Sequence, residues 1–256
     1  MKMKKTADLE KEICSCICES EGIKTREIAG RLKIDRAVVN QILYRSPLMK
    51  ELCWKDAEYR WHGLIQQNYP HHGLREICGY YSDIHDFLLL SEEEWLTILK
   101  EGCANIGRNL NDTRGLIHSF RDCRQTMIGL FNDLSAMTDA DFDDWEIAFE
   151  LKLKRGKYIR IYTDVLVITK KHVFSLEFKM KDLVDPDEIL QAAKYTPYLE
   201  IVFGPSYDVI PALVLTKAEE VYRHVSIGES DMLLPVCSGD MLFNVFADYM
   251  GLLDRT

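Results

Sequence analysis

Two runs in the second half of the chain alternate so strictly that only one backbone conformation suits them. In Trp145-Glu146-Ile147-Ala148-Phe149-Glu150-Leu151-Lys152-Leu153-Lys154, and again in Val173-Phe174-Ser175-Leu176-Glu177-Phe178-Lys179-Met180, the side chains sort into two sets at every second position. That period belongs to a strand; a helix would scatter the same residues around its circumference. Glu177 and Lys179 therefore share one face of their strand, and Leu176, Phe178 and Met180 share the other. Between the runs, Arg155-Gly156-Lys157 turns the chain, residues 158–169 return, and Lys170-Lys171-His172 makes a tight hairpin, giving a three-stranded antiparallel meander. The hairpin brings Asp164 beside the face that holds Glu177 and Lys179. Two carboxylates converging on an ammonium suit a hard, oxygen-seeking cation such as Mg²⁺ (or Mn²⁺) and the hydrolysis of a phosphodiester.

Elements follow on both sides. Asp185-Pro186-Asp187 opens a helix carrying Gln191 and Tyr195. Residues 208–216 form an apolar strand for a sheet interior. Glu219 to His224 reads as a short helix, Leu233 to Cys237 as a last strand, and Met241 to Leu253 as a closing amphipathic helix. Upstream, Arg114 to Met137 is a long helix with Ile117, Phe120, Met127, Leu130, Phe131 and Leu134 turned inward.

Asp164, then Glu177-Phe178-Lys179 across a hairpin, then Gln191-Ala192-Ala193-Lys194-Tyr195 on the next helix resembles the PD-(D/E)XK nuclease superfamily, with the Gln-x-x-x-Tyr motif of RecB/AddAB-type nucleases. Thr163 stands where that signature often has proline. The likeness runs from about Trp145 to the C-terminus. It implies an α/β (α+β) restriction-endonuclease-like core, of order αβββαβ, with a central mixed sheet flanked by helices. It also implies Mg²⁺ (or Mn²⁺) held by Asp164, Glu177 and the backbone carbonyl of Phe178. In that scheme Lys179 orients the attacking water or stabilises charge on the scissile phosphate. Gln191 bridges towards the site or the DNA backbone, and Tyr195 packs or bonds nearby. A fourth acid usually joins such sites, and Glu146, Glu150 and Asp133 stand equal for it. Some relatives carry an iron–sulfur cluster with three cysteines downstream of the core; only Cys237 lies there. The eight cysteines read as buried, reduced thiols.

Residues 7–64 resemble a winged helix-turn-helix. A first helix over about Ala7 to Ser20 ends at Gly22. Thr25 is placed to cap a second, Arg26 to Leu32, and Asp35 a third, Arg36 to Arg45, with Val38, Val39, Ile42 and Leu43 inward. Two short aromatic strands within Leu52–Trp61 make the wing. The resemblance puts Arg36, Asn40, Gln41 and Arg45 in the major groove, with Lys55 and Arg60 on phosphates. Residues 65–137 are expected to be mainly helical, with a capping box of Ser91 and Glu94 ahead of Trp95, Leu96, Ile98 and Leu99. The division is a winged-helix domain at 1–65, a helical connector at 66–112 and a nuclease-like domain at 113–256.

No apolar run approaches eighteen residues, so neither a membrane span nor a signal peptide is expected, and the setting is cytoplasmic. The net charge of −9 is unevenly spread. Residues 1–60 hold thirteen Lys/Arg against ten Asp/Glu, and the remainder nineteen against thirty-one. The acidic remainder disfavours a promiscuous nuclease and suits a surface facing a protein partner. The expected function is a Mg²⁺-dependent deoxyribonuclease recruited to DNA by the winged helix, in restriction, mobile-element or phage-defence biology. The alternative is a DNA-binding or adaptor protein in which the nuclease fold is a scaffold. A third reading takes RNA as the substrate in place of DNA. With one site per chain, cutting both strands takes a homodimer or two successive nicks.

Overall fold

The computed structural model describes residues 6–63, 73–108, 110, 113–153, 162–227 and 233–252. In chain order they form α1 (Thr6–Cys18), α2 (Thr25–Leu32), α3 (Arg36–Arg45), α4 (Pro47–Leu52), β1 (Cys53–Lys55), β2 (Trp61–Gly63), β3 (Tyr80–Asp83), α5 (Ile84–Leu89), α6 (Glu92–Asn105) and α7 (Thr113–Met137). There follow β4 (Glu146–Lys152), β5 (Tyr162–Ile168), β6 (His172–Lys179), α8 (Pro186–Lys194), α9 (Thr196–Phe203), β7 (Asp208–Leu215), β8 (Tyr222–Ser226), β9 (Leu233–Ser238) and α10 (Leu242–Met250). The chain divides into two compact units. No helix among the described residues is long and apolar enough to cross a membrane.

The first unit comprises residues up to Glu76 together with Lys152–Tyr162 and Pro197–Tyr207. Helices α1 to α4 and the antiparallel hairpin β1–β2 enclose a core of Ile13, Ile17, Ile28, Val39, Leu43, Met49 and Trp61, completed by Ile201 of α9. Helix α3 is capped where the sequence indicates, the Asp35 carboxylate accepting the Ala37 N–H at 2.6 Å. At α2 the cap is Lys24 rather than Thr25. Thr25 is the first helical residue, and the Glu27 carboxylate accepts the Lys24 N–H at 2.9 Å. Val38 is 39 % exposed rather than inward; on α3 the buried stripe is Val39, Ile42 and Leu43, which leaves Val38 on the outer side.

The second unit holds a seven-stranded mixed sheet of order β3-β4-β5-β6-β7-β9-β8. The β5–β6 pair is antiparallel, β6–β7 and β7–β9 are parallel, and β8 returns antiparallel to β9. One layer over the sheet is built from α7 and α10, whose Phe131, Leu134, Phe243 and Phe246 join Val165, Phe174, Leu176 and Phe178 in the main core. Ala192 of α8 packs with Leu213, Leu215, Leu234 and Val236 in a second cluster, so α8 covers the other face. The eight cysteines are all buried and unpaired by disulfides.

Two expectations are corrected here. Residues 222–226 are strand β8, not part of a helix; as an edge strand, its Arg223 and His224 face solvent, which erases the alternation that marks a half-buried strand. The segment expected to be helical contains β3, four residues paired to β4 from Tyr80–Phe149 to Asp83–Glu146. Lys154, which ends the first alternating run, and the turn Arg155-Gly156-Lys157 lie outside the described residues.

Candidate active site at the ends of β5 and β6

The β5–β6 register pairs Val165 with Leu176 and Ile168 with Val173. One step further along, Asp164 stands opposite Glu177, on the face away from the α7–α10 core. Here the side chain takes over from the ladder. The Phe178 N–H donates to the Asp164 carboxylate at 2.8 Å, tying the two strand ends together through the acid itself. The Phe178 ring turns the other way, into the main core. Strand alternation thus anchors Phe178 and frees Glu177 and Lys179 for the opposite face.

On that face Gln191 of α8 joins the group. Its amide nitrogen donates to Glu177 Oε1 at 2.7 Å, and its amide oxygen accepts from Lys179 Nζ at 3.3 Å. Lys179 Nζ also donates to Glu177 Oε1 at 2.9 Å. One helical turn later, the Tyr195 hydroxyl lies 3.2 Å from the Gln191 amide nitrogen. The spacing of four puts Gln191 and Tyr195 on the same side of the helix. All five side chains assigned from the sequence are therefore brought together.

Glu150 comes closest of the three further acids. It is buried on β4, and its charge acts on both Glu177 and Tyr195. Its carboxylate pairs with Arg108 Nε at 2.8 Å. Glu146 instead accepts from the Tyr81 hydroxyl, and Asp133 is exposed on α7. Glu150 owes its place to a backbone irregularity. Its φ is +55°, and the Gly79 N–H faces both the Phe149 and Glu150 carbonyls, at 2.9 and 3.3 Å. Two residues thus oppose one, as in a bulge. Helix α6 crosses directly above: a Cβ at Gly102 would sit 1.9 Å from the Gly79 carbonyl oxygen. Just past the end of that helix, Arg108 reaches Glu150. A left-handed conformation at a glutamate costs about 1–3 kcal/mol. Period-two reading carries no sign of the bulge or of Arg108; the glycine at position 79 was the one available hint.

Burial dominates the electrostatics. It pushes the Glu177 carboxyl up to about 8, reinforced by the Asp164 charge and opposed by Lys179. Burial likewise lifts Glu150 to about 7 against Arg108, and raises Asp164 against the Phe178 N–H, Lys179 and Arg108. Tyr195 rises to about 12, through burial and then the Glu177 charge. The site therefore concentrates more carboxylate than its own cations hold comfortably ionised.

Among the described residues no group of three or more His, Cys, Asp or Glu side chains is arranged to hold a metal ion. The donor chemistry nevertheless fits a hard divalent cation. Glu177 Oε2 is buried without a hydrogen-bond partner among the described residues, beside a second carboxylate that repels it. An oxygen-seeking cation bound there would satisfy that atom and relieve the repulsion.

On the first unit, Arg36, Gln41, Arg45 and Arg60 are exposed and Asn40 and Lys55 half-buried. Lys55 donates to the Tyr44 hydroxyl at 3.0 Å, and Arg60 lies 3.5 Å from the Glu58 carboxylate.

No family model matches the chain, and no curated protein matches it. Among solved structures it is similar to the crystal structure of protein VC1899 from Vibrio cholerae, at 13 % identity and a TM-score of 0.28 over 99 % of this chain. The chain spans 58 % of that protein's length. A likeness this distant transfers neither a fold nor an activity.

Proposed function

We propose that this protein is a divalent-metal-dependent nuclease with a PD-(D/E)XK-type site, brought to DNA by an N-terminal winged helix. One observation carries the reading: Gln191 joins Glu177, Lys179 and Tyr195 in a single hydrogen-bonded group beside Asp164. Neighbouring solvated strand residues have no need of such an arrangement. Asp164, Glu177 and the Phe178 carbonyl would hold Mg²⁺ (or Mn²⁺), which supplies Lewis acidity and neutralises charge on a phosphodiester when bound. Lys179 Nζ, bonded to Glu177 and Gln191, would stand where negative charge gathers on the scissile phosphate. Gln191 fixes Lys179 and Glu177 to one another, so that the positive and negative groups move together. Tyr195 holds Gln191 in turn. Arg108 holds the Glu150 carboxylate in the site and offsets part of its charge.

In the first unit, α2 and α3 joined by Lys33-Ile34-Asp35, followed by the β1–β2 hairpin, support the winged-helix reading. The outward side of α3 then offers Arg36, Asn40, Gln41 and Arg45 to a groove. Cutting both strands takes a homodimer or two successive nicks, and the acidic remainder of the chain suits a protein partner.

Purified protein incubated with linear and circular DNA, in Mg²⁺, Mn²⁺ or EDTA, tests the proposal. Wild type is expected to nick or degrade DNA only with metal, and Lys179→Ala to lose about 10²–10³-fold in rate while remaining folded. Equal activity in Lys179→Ala, or none in wild type with any metal, moves the assignment to a scaffold that binds without cutting.

A further inference from the structure

The turn of the β1–β2 hairpin places an aromatic residue where a glycine is expected. The Asp56 N–H donates to the Arg60 carbonyl at 3.0 Å and the Tyr59 N–H to the Asp56 carbonyl at 3.2 Å, while the Arg60 N–H bonds the Asp56 carboxylate. This is a three-residue loop whose last member must be left-handed, and Gly or Asn ordinarily fills it. Here it is Tyr59, at φ +61° and 70 % exposed. A bulky residue in that conformation is strained, and so exposed a ring recovers little by burial.

What the strained turn achieves is placement. The Tyr59 ring lies over Lys55 Nζ at 4.8 Å, and the same ammonium lies 5.2 Å from the ring of Tyr44, itself 51 % exposed on α3. Two exposed rings thus flank one cation, and the residues next in sequence to them, Arg45 and Arg60, are exposed cations. The hairpin's own acids are already engaged, Asp56 by His62 at 2.9 Å and Glu58 by Arg60 at 3.5 Å. An aromatic pair set among cations is the chemistry that stacks bases of an unpaired strand while holding its phosphates.

We infer that Tyr44, Lys55 and Tyr59 form a stacking platform for an unpaired base, and that the substrate is a nucleic acid with a single-stranded segment rather than an uninterrupted duplex. This rests on the reading of the first unit as a nucleic-acid-binding module and sharpens it to a substrate class.

The full-length protein in EDTA, where no cutting occurs, is titrated into three labelled oligonucleotides: a single strand, a blunt duplex, and the duplex with a single-stranded overhang. Anisotropy reports binding. Wild type is expected to bind the first and third more tightly than the blunt duplex. Tyr59→Asn, which suits the left-handed turn, is expected to melt no lower than wild type. It should lose about 5–150-fold in affinity for the single strand and the overhang, the range for one stacked base, with blunt-duplex binding unchanged. Tyr59→Phe, which keeps the ring, is expected to bind like wild type. Equal losses on all three oligonucleotides overturn the inference in favour of a phosphate contact. No change in Tyr59→Asn overturns it and leaves the hairpin to a protein partner, with the DNA-binding reading intact if the blunt duplex is still held. Failure of wild type to bind any of the three overturns that reading as well.

Discussion

Glu177 is asked to do two things with one carboxylate. Its Oε1 takes bonds from Lys179 and Gln191, while its Oε2 is buried without a hydrogen bond among the described residues. Because burial and Asp164 lift its carboxyl from 4.5 to about 8, the folded protein binds more protons here than the unfolded chain between those values. A raised carboxyl makes stability fall as pH rises through that window. Metal-free protein is therefore expected to melt lower at pH 8.5 than at pH 6, and added Mn²⁺ to raise the melting temperature more at pH 8.5. Asp164→Asn, which removes the neighbouring charge, should flatten both trends. A metal-free melting temperature that climbs from pH 6 to pH 8.5 contradicts this. At this scale strand period and the hairpin brought Asp164, Glu177 and Lys179 together, and the resemblance to the Gln-x-x-x-Tyr motif added Gln191 and Tyr195. Glu150 was one of three acids left equal, and Arg108 was beyond the reach of the sequence. The first depends on a positive φ, and the second on a segment distant in sequence that follows α6.

Helix α6 seats that pair, and its contact with β3 sets the limits. With 1.9 Å between an added Cβ at Gly102 and the Gly79 carbonyl, the helix must move to accept alanine. Gly102→Ala is expected to lose about 1–3 kcal/mol or more in urea unfolding and to weaken Mn²⁺ binding by shifting Glu150. Gly129→Ala provides the opposite sign. That glycine lies within α7, with nothing inside 4 Å of an added Cβ, so the change is expected to stabilise by roughly 0.5–1 kcal/mol. Stability losses of equal size at both positions would deny the special contact at Gly102. Elements buried on one or both faces were readable in advance, as with β4, β6, β7 and α7. Strands β3 and β8, at the two edges of the sheet, were not. Short, sparsely buried edges lose the periodicity on which such reading depends.

Across the whole molecule, charge separates two tasks. The net charge of −9 opposes indiscriminate binding to polyanions, whereas the first sixty residues carry a slight excess of Lys and Arg. If Lys55 and Arg60 each neutralise a phosphate, the logarithm of DNA affinity should fall against the logarithm of salt with a slope of about 2. Arg36→Ala with Asn40→Ala, both placed in the groove, should weaken binding and leave that slope nearly unchanged. An unchanged affinity would turn α3 towards protein contact. The central claim is that Asp164 and Glu177 serve a metal in cutting phosphodiesters. Its most direct test is the initial rate of cleavage of a labelled single-stranded oligonucleotide against Mn²⁺ concentration, for wild type and Asp164→Asn. Wild type is expected to show a saturating rise, abolished by EDTA, and the variant a loss of at least about 10²-fold at every Mn²⁺ concentration. Cleavage that survives EDTA, or an Asp164→Asn protein that cuts at the wild-type rate, would contradict it.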